Sequence, residues 1–412
     1  MTDTPGRSKH GGAPRIRAGF MPLIDAAPLI VAARIGFATA EGIAIDLVRE
    51  TSWASLRDRI AVRHLDVAHM LAPMPIAANL GLTSLPTRLL APMALGSGGN
   101  TITVAMPLWQ ELAQHGATAD FDARRAADAF AAVVRARKAA DRSPLTIAVV
   151  HPHSAHHYQL AYWLAAAGIN PTRDVDIVVV PPPLTADALS GRQIDAFSAG
   201  EPWGSIAVSK GVGCILTTNA HIWRSSPEKV LGVREEWAEE DRGRASALIR
   251  AVYHASQWCD APTNRSALAE LLAAEDVLSM PSAIIKASLE QRLTAADGAT
   301  RAVEGLLSFG MRAGTFPWTS HALWFFSQMV RWGDAELTAA NLANARTSYR
   351  PDLYRAALQP LGVPLPLANS KIEGLLVDET PVSTVTGSLS LGPDTFFDGA
   401  VFDPDKISLQ AN

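Results

Sequence analysis

Residues 15–50, RIRAGFMPLIDAAPLIVAARIGFATAEGIAIDLVRE, read as strand, helix and strand in succession. RIRAGF (15–20) and AIDLVRE (44–50) have the pattern of short strands, and APLIVAARIGFATAEG between them reads as a helix ending near Gly42. Such a βαβ unit builds a mostly parallel sheet covered by helices. The pattern continues outward. LDVAHML (65–71) reads as a third strand, and TIAVVHP (146–152), VDIVVVPPP (175–183) and IDAFSAGEPW (194–203) read as a second set. Phe130, Val133 and Val134 fall at helical spacing in DARRAADAFAAVVRARKAA, whose charges lie largely elsewhere. From about Glu240 the pattern is mostly helical, with Leu248, Ile249, Val252 and Tyr253 on one face.

The two strand clusters are parted by the glycine-rich LGSGGNTITV (95–104), which predicts two α/β lobes with a cleft between them. Parallel α/β sheets take ligands outside the carboxyl ends of their strands, so the loops that follow the strands are the informative ones. The tail from about Asn369 is rich in Gly, Pro, Ser and Thr and reads as a surface-draped extension. There is no internal repeat.

At 412 residues the chain is long enough for two domains with separate cores. Apolar residues make up 48% and charged ones 18%, a globular balance. The formal net charge of -4, without a long basic run, argues against direct nucleic-acid binding. No window offers about 18 uncharged apolar residues, so no membrane span is expected. Cys214 and Cys259 allow one disulfide on the count, but two lone thiols are the commoner reading at this length, which mildly favours a reducing compartment. The first fourteen residues are polar; the apolar run after Arg17 is broken by Pro22 and Pro28 and interrupted by Asp25. That is not the pattern of a signal peptide, and a cytoplasmic location is the expectation.

Enzymatic motifs find little support. GSGGNT lacks the last glycine of the dinucleotide fingerprint, and there is no G-x-x-x-x-G-K-[ST], H-E-x-x-H or G-x-S-x-G pattern. His151, His153, His156 and His157 crowd a strand end and helix start in HPHSAHHYQLAYWLAAAGINP. Imidazoles suit a metal, yet no Cys or acidic residue lies beside them, and no metal or cofactor is expected. A helix start instead favours an anion, to which a histidine there can donate; a solvated helix start is the plain alternative. GEPWGS (200–205) sets Glu201 and Trp203 just past a strand, either as site residues or as a turn with a core tryptophan. ETSWASLRDRI places Trp53 at a helix start that Ser52 or Ser55 can cap. An indole N–H on a broad apolar body suits a planar, weakly hydrated anion. Lys229 follows a proline turn in SSPEKVLGV.

GFMPLIDAAPLIVAARIGFATAEG, SWASLRDRIAVRHLDVAHMLAPMPIA, YWLAAAGINP, VDIVVVPPP, GEPW and PEKVLGVREEWA together resemble the nitrate-binding solute receptors of ABC transporters, which include the nitrate and bicarbonate receptors of cyanobacteria. The resemblance is collinear from about Arg15 to about Gly333. It implies a two-lobed periplasmic-binding-protein-like fold of type II, without catalytic activity. It also implies that a Trp, an amide, a His and a Lys hold the anion. Carried over residue by residue, these fall on Trp53, Asn100, His156 and Lys229, with Gly99, Thr101, Glu201 and Trp203 as cleft neighbours. The family usually has glutamine where this chain has Asn100, so the amide reaches less far. Among the relatives, a chain without an export signal is similar to the cytoplasmic nitrate/nitrite sensors of the NasS type. Those hold an RNA-binding, response-regulator-like antiterminator of the NasT type and release it when anion binds.

The expected organisation is a disordered tail over 1–14, one lobe from 15–100 and 220–368, a second from 101–219, and a C-terminal extension over 369–412. The expected function is nitrate or nitrite sensing coupled to release of the antiterminator, with no direct nucleic-acid contact. The alternative is an exported receptor serving an ABC transporter. An enzyme of the related thiamine-pyrimidine type is disfavoured, because no activated nucleophile or acid–base pair is evident.

Overall fold

The computed structural model describes residues 13–407. The expected disordered tail therefore lies almost wholly outside the described residues. Strand β1 (Arg15–Phe20) pairs in parallel with β2 (Ala44–Arg49) and with β3 (Val67–Leu71), as the βαβ reading requires. The segment between β1 and β2 holds two helices instead of one, Ala27–Arg34 and Phe37–Ala40. Gly36 parts them at φ +96°, a left-handed conformation that ends a right-handed helix and that glycine adopts without steric penalty.

After β4 (Leu89–Ala94) the chain crosses to a second sheet through β5 (Ser97–Gly98). It there forms β6 (Asn100–Ala105), β7 (Leu145–Val149), β8 (Val175–Val179), β9 (Ala196–Gly200) and β10 (Gly213–Thr218), then returns to the first sheet as β11 (Lys229–Arg234). The strand orders are β2-β1-β3-β11-β4 and β10-β6-β9-β7-β8. The expectation of mostly parallel sheets is corrected here. β4, β6, β10 and β11 run antiparallel to their neighbours, so both sheets are mixed. A buried apolar run of five or six residues carries no mark of direction, and these strands belong to the connections between the lobes.

The two crossings lie side by side. The Leu95 amide donates to the Lys229 carbonyl at 2.9 Å, and the Gly98 amide donates to Ser226 at 2.9 Å. The glycines of LGSGG have a local reason. Gly96 and Gly98 have φ of +130° and +71°, and a Cβ on either would run into the Ser308 or Leu306 carbonyl oxygen.

Helix Arg242–Asp260 buries Leu248, Ile249 and Val252 and packs against helix Ala27–Arg34, while Tyr253 is half-buried. Helix Thr319–Arg331 packs on helix Ala155–Ala166 of the other lobe, and the Tyr158 hydroxyl donates to Asp334 at 2.8 Å. One apolar cluster runs continuously from Met21 and Trp53 to Phe130 and Trp163. The C-terminal segment is more than a surface drape. Phe396 stacks on Trp223 with ring centroids 4.6 Å apart, Glu373 is fully buried, and Asp398 accepts from the Tyr162 hydroxyl at 2.7 Å. No helix of the described residues is long and apolar enough to cross a membrane.

Candidate functional site

The carboxyl ends of β1, β2 and β3 face the carboxyl ends of β7 and β9 across the gap between the sheets. Four of these five ends deliver a side chain to it. The turn after β1 brings Asp25, and the helix after β2 (Trp53–Ala61) brings Trp53. β3 itself brings His69, and the helix after β7 brings His156. The antiparallel strands start in the same gap, with Asn100 as the first residue of β6 and Lys229 as the first of β11. Glu228 precedes Lys229. Asp25 is 5% exposed, and the other residues of this group are 2% exposed or less.

Both helices are held by local chemistry. Ser52 caps the first by accepting from the Ser55 amide at 3.1 Å, while Ser55 donates its hydroxyl to Glu50. Ser154 caps the second by accepting from the His157 amide at 3.0 Å. The two N-termini leave their first amides without intrahelical acceptors and turn the positive ends of their dipoles toward the gap, which favours an anion.

The polar contacts centre on Glu228 and Lys229. The ammonium lies 2.6 Å from Glu228 Oε1, 2.8 Å from Asp25 Oδ2 and 5.5 Å from the centre of the Trp53 ring. The Asn100 amide donates to Glu228 Oε2, and His156 Nδ1 lies 3.4 Å from Glu228 Oε1. His69 Nε2 lies 2.9 Å from Asp25 Oδ1, and its Nδ1 accepts from the Met21 amide at 3.5 Å. Burial penalises the Lys229 charge, but Asp25 and Glu228 more than restore it and raise the pKa. Burial would also raise Asp25, yet Lys229 and His69 hold it below the ordinary carboxylate range. His156 is driven well below its usual range by burial and by Lys229, so it is neutral. Among the described residues, the Trp53 indole N–H, Asn100 Oδ1 and both His156 ring nitrogens have no hydrogen-bond partner. Buried polar atoms are ordinarily paired, so this group of orphans marks a candidate ligand position.

All four residues carried over from the family, Trp53, Asn100, His156 and Lys229, thus meet at one point. Of the four clustered histidines only His156 does. His151 accepts from the His153 amide at 3.0 Å, His153 Nδ1 faces the Tyr158 hydroxyl at 3.0 Å, and His157 Nδ1 sits 2.7 Å from the Pro152 carbonyl. Among the described residues no three His, Cys, Asp or Glu side chains are grouped to hold a metal.

The neighbours divide. The Gly99 carbonyl accepts from the Glu201 amide at 2.7 Å and Gly99 has φ +93°, so it shapes the crossing. Thr101 alternates to the other face of β6 and donates to Glu201 at 3.2 Å. Glu201, expected as a cleft neighbour, accepts from Thr101, Ser205 and Ser288, so its carboxylate is engaged by hydroxyls. Trp203 begins the helix Trp203–Ser209 and is buried, its indole N–H without a partner among the described residues.

Asp25, His69 and Glu228 escape the sequence reading. Asp25 was legible only as a lone charge in an apolar run and Glu228 as the companion of Lys229; His69 gave no signal inside VAHML. Gly200 also matters, because a Cβ there would come within 3.3 Å of Asn100 Oδ1 and 3.5 Å of Asp25 Oδ2.

A separate cavity of about 240 Å³ lies behind the crossings, lined in part by Ser97, Ser225, Arg312, His321 and Lys371. Its cations already face carboxylates, Lys371 with Glu373 and Asp394, and Arg312 with Glu379. The unpaired indole N–H of Trp53 and imidazole of His156 lie instead beside Lys229 and Glu228. The cluster offers charge and directional N–H groups but no activated nucleophile. Both cysteines are buried and unpaired, and burial pushes the Cys214 thiol up to about 12.

Residues 10–273 match the NMT1-like family. The chain is 31% identical to the nitrate/nitrite binding protein NrtA of Synechococcus elongatus, over 98% of this chain and 88% of that one. It is 28% identical to the bicarbonate-binding protein CmpA of a Synechococcus species, over 95% and 84%. The crystal structure of the periplasmic nitrate-binding protein NrtA from Synechocystis superposes with a TM-score of 0.82 at 28% identity, covering 96% of each chain.

Proposed function

The chain belongs to the NMT1-like family, beside the NrtA-type solute receptors, and on that footing we propose that it binds nitrate or nitrite between its lobes. One observation carries the reading. Trp53 and Lys229 from one sheet, and Asn100 and His156 from the other, converge on one buried cluster, in which the Trp53 indole N–H and the His156 ring nitrogens have no partner among the described residues. Lys229 supplies positive charge, Asn100 and neutral His156 supply directional donors, and Trp53 supplies a donor and a flat wall. Calorimetric titration with nitrate, nitrite, bicarbonate and sulfate tests this. The expected result is binding of nitrate or nitrite, and a response to bicarbonate or sulfate alone overturns it.

The finer reading is a cytoplasmic sensor of the NasS type. The two unpaired thiols, Cys214 and Cys259, support a reducing compartment. Ligand groups split between two lobes support coupling, because an anion that needs both lobes favours one arrangement of them. The anion then releases a NasT-type antiterminator, and by linkage that partner lowers anion affinity by the same factor. Size-exclusion of the co-expressed pair is the test. A complex that nitrate and nitrite fail to dissociate overturns the sensor reading.

The second reading is an exported receptor of an ABC transporter. The likeness to a periplasmic nitrate-binding protein across nearly the whole of both chains favours it. Finding the protein outside the cytoplasmic fraction of its cells would select it.

A further inference from the structure

Glu228 occupies two of the donors that the anion needs, on Lys229 and Asn100, and lies against His156. Its two carboxylate oxygens face the Lys229 ammonium at 2.6 Å, the Asn100 amide and His156 Nδ1 at 3.4 Å. These are three of the four groups to which the anion reading assigns the ligand. The carboxylate is thus a resident anion, attached to the chain one residue before the lysine.

The charge balance of the closed cluster makes this arrangement consequential. One ammonium, Lys229, faces two carboxylates, Asp25 and Glu228. His69 on β3 and His156 on the facing helix are both lowered, chiefly by burial, and bring no charge. The Tyr349 hydroxyl is raised by burial and by Glu228; it is neutral and donates to the Ala72 carbonyl. With Glu228 ionised the cluster already carries one negative charge. A monoanion taking the same donors would add a second and leave a buried carboxylate unpaired, which is strongly unfavourable. A proton on Glu228 removes that penalty.

We propose that Glu228 couples anion binding to proton uptake: nitrate or nitrite takes the donors from the carboxylate, which binds one solvent proton as it gives them up. This rests on the anion reading above. Burial, reinforced by Asp25 and opposed by Lys229 and Asn100, raises the Glu228 carboxyl to about 7. Below that pH the proton is already in place and affinity is flat. Above it, each pH unit weakens binding about tenfold, as one proton per anion requires. The protein thereby favours its ligand as the acid equivalent, although either anion enters as a free ion.

The test is calorimetry of wild type and Glu228→Gln with nitrate and nitrite from pH 6 to 8.5, in buffers of different ionisation enthalpy. Wild type should take up close to one proton per anion at pH 8.5 and almost none at pH 6. Glu228→Gln should take up none and hold a flat affinity, tighter than wild type at pH 8.5. Infrared difference spectra of wild type, bound minus free at pH 8.5, should gain a protonated-carboxyl C=O band, a readout that does not depend on the variant folding. Binding by wild type without proton uptake overturns the coupling and leaves the anion reading intact. Equal uptake in both proteins, or no carboxyl band, overturns the assignment to Glu228. No binding of either anion by wild type overturns the anion reading and this inference with it.

Discussion

The ammonium of Lys229 lies 2.8 Å from Oδ2 of Asp25, which joins the start of β11 to the turn after β1 inside a closed polar cluster. The lysine therefore has two duties, neutralising buried carboxylates and presenting charge to a ligand. Lys229→Met separates them. Removing one partner of a buried ion pair typically costs about 3–5 kcal/mol, and loss of a charged hydrogen bond weakens ligand binding roughly ten- to a hundredfold. Urea unfolding at pH 8 should show the first effect and nitrate or nitrite titration the second.

Trp53 isolates the ligand term. Its indole N–H has no partner among the described residues, although the ring is buried beside Lys229 and tilted against His69. Trp53→Phe removes the donor while keeping an aromatic wall. A lost neutral hydrogen bond is worth about 0.5–1.5 kcal/mol, so anion affinity should fall roughly two- to tenfold. Stability without anion should fall less than for a variant that breaks a formed hydrogen bond, which thermal melts with and without anion can check.

Glu201 should behave oppositely. Its carboxylate accepts from Thr101, Ser205 and Ser288 and makes no ion pair with the lysine among the described residues. Glu201→Gln should leave nitrate and nitrite affinity within about threefold, the range of an indirect effect below 1 kcal/mol. Burial raises the Glu201 carboxyl despite those three hydroxyls. Its contribution to stability is therefore full below its unfolded value and is lost as pH rises through the folded one. The variant should flatten that loss in pH-dependent melts.

The C-terminal segment should show in acid. Burial would raise Glu373, but Lys371 wins and, with His321, holds it down at about 2 against an ordinary 4.5. A lowered carboxyl stabilises the fold above its unfolded pKa and loses that contribution as pH falls from 4.5 toward about 2. The shift corresponds to about 3 kcal/mol. Glu373→Gln should remove this part of the acid dependence, read from urea midpoints between pH 5 and pH 2.5.

Phe396 tests the same segment by packing. It stacks on Trp223 and meets Tyr162 and Trp324, so it touches aromatic rings from both lobes. Phe396→Ala should cost about 3–5 kcal/mol, the range for deleting a buried phenylalanine, and lower the urea midpoint accordingly.

The sequence by itself determined the parallel halves of both sheets. The runs at 15–20, 44–50, 65–71, 146–152, 175–183 and 194–203 hold the strands β1, β2, β3, β7, β8 and β9, because apolar periodicity and helix–strand alternation are local properties. The family resemblance supplied Trp53, Asn100, His156 and Lys229, which the fold brings together around one ammonium. The antiparallel strands were decided only when the chain crossed between lobes twice, since strand direction is a relation between distant segments. Asp25, His69 and Glu228 were likewise decided by tertiary structure. An aspartate in an apolar run, a histidine inside a strand and a glutamate beside a lysine have ordinary solution chemistry apart. Buried in one cluster, His69 against Asp25 and both carboxylates against Lys229, they exchange hydration for mutual interaction, and only there does Glu228 stand on donors of a candidate ligand.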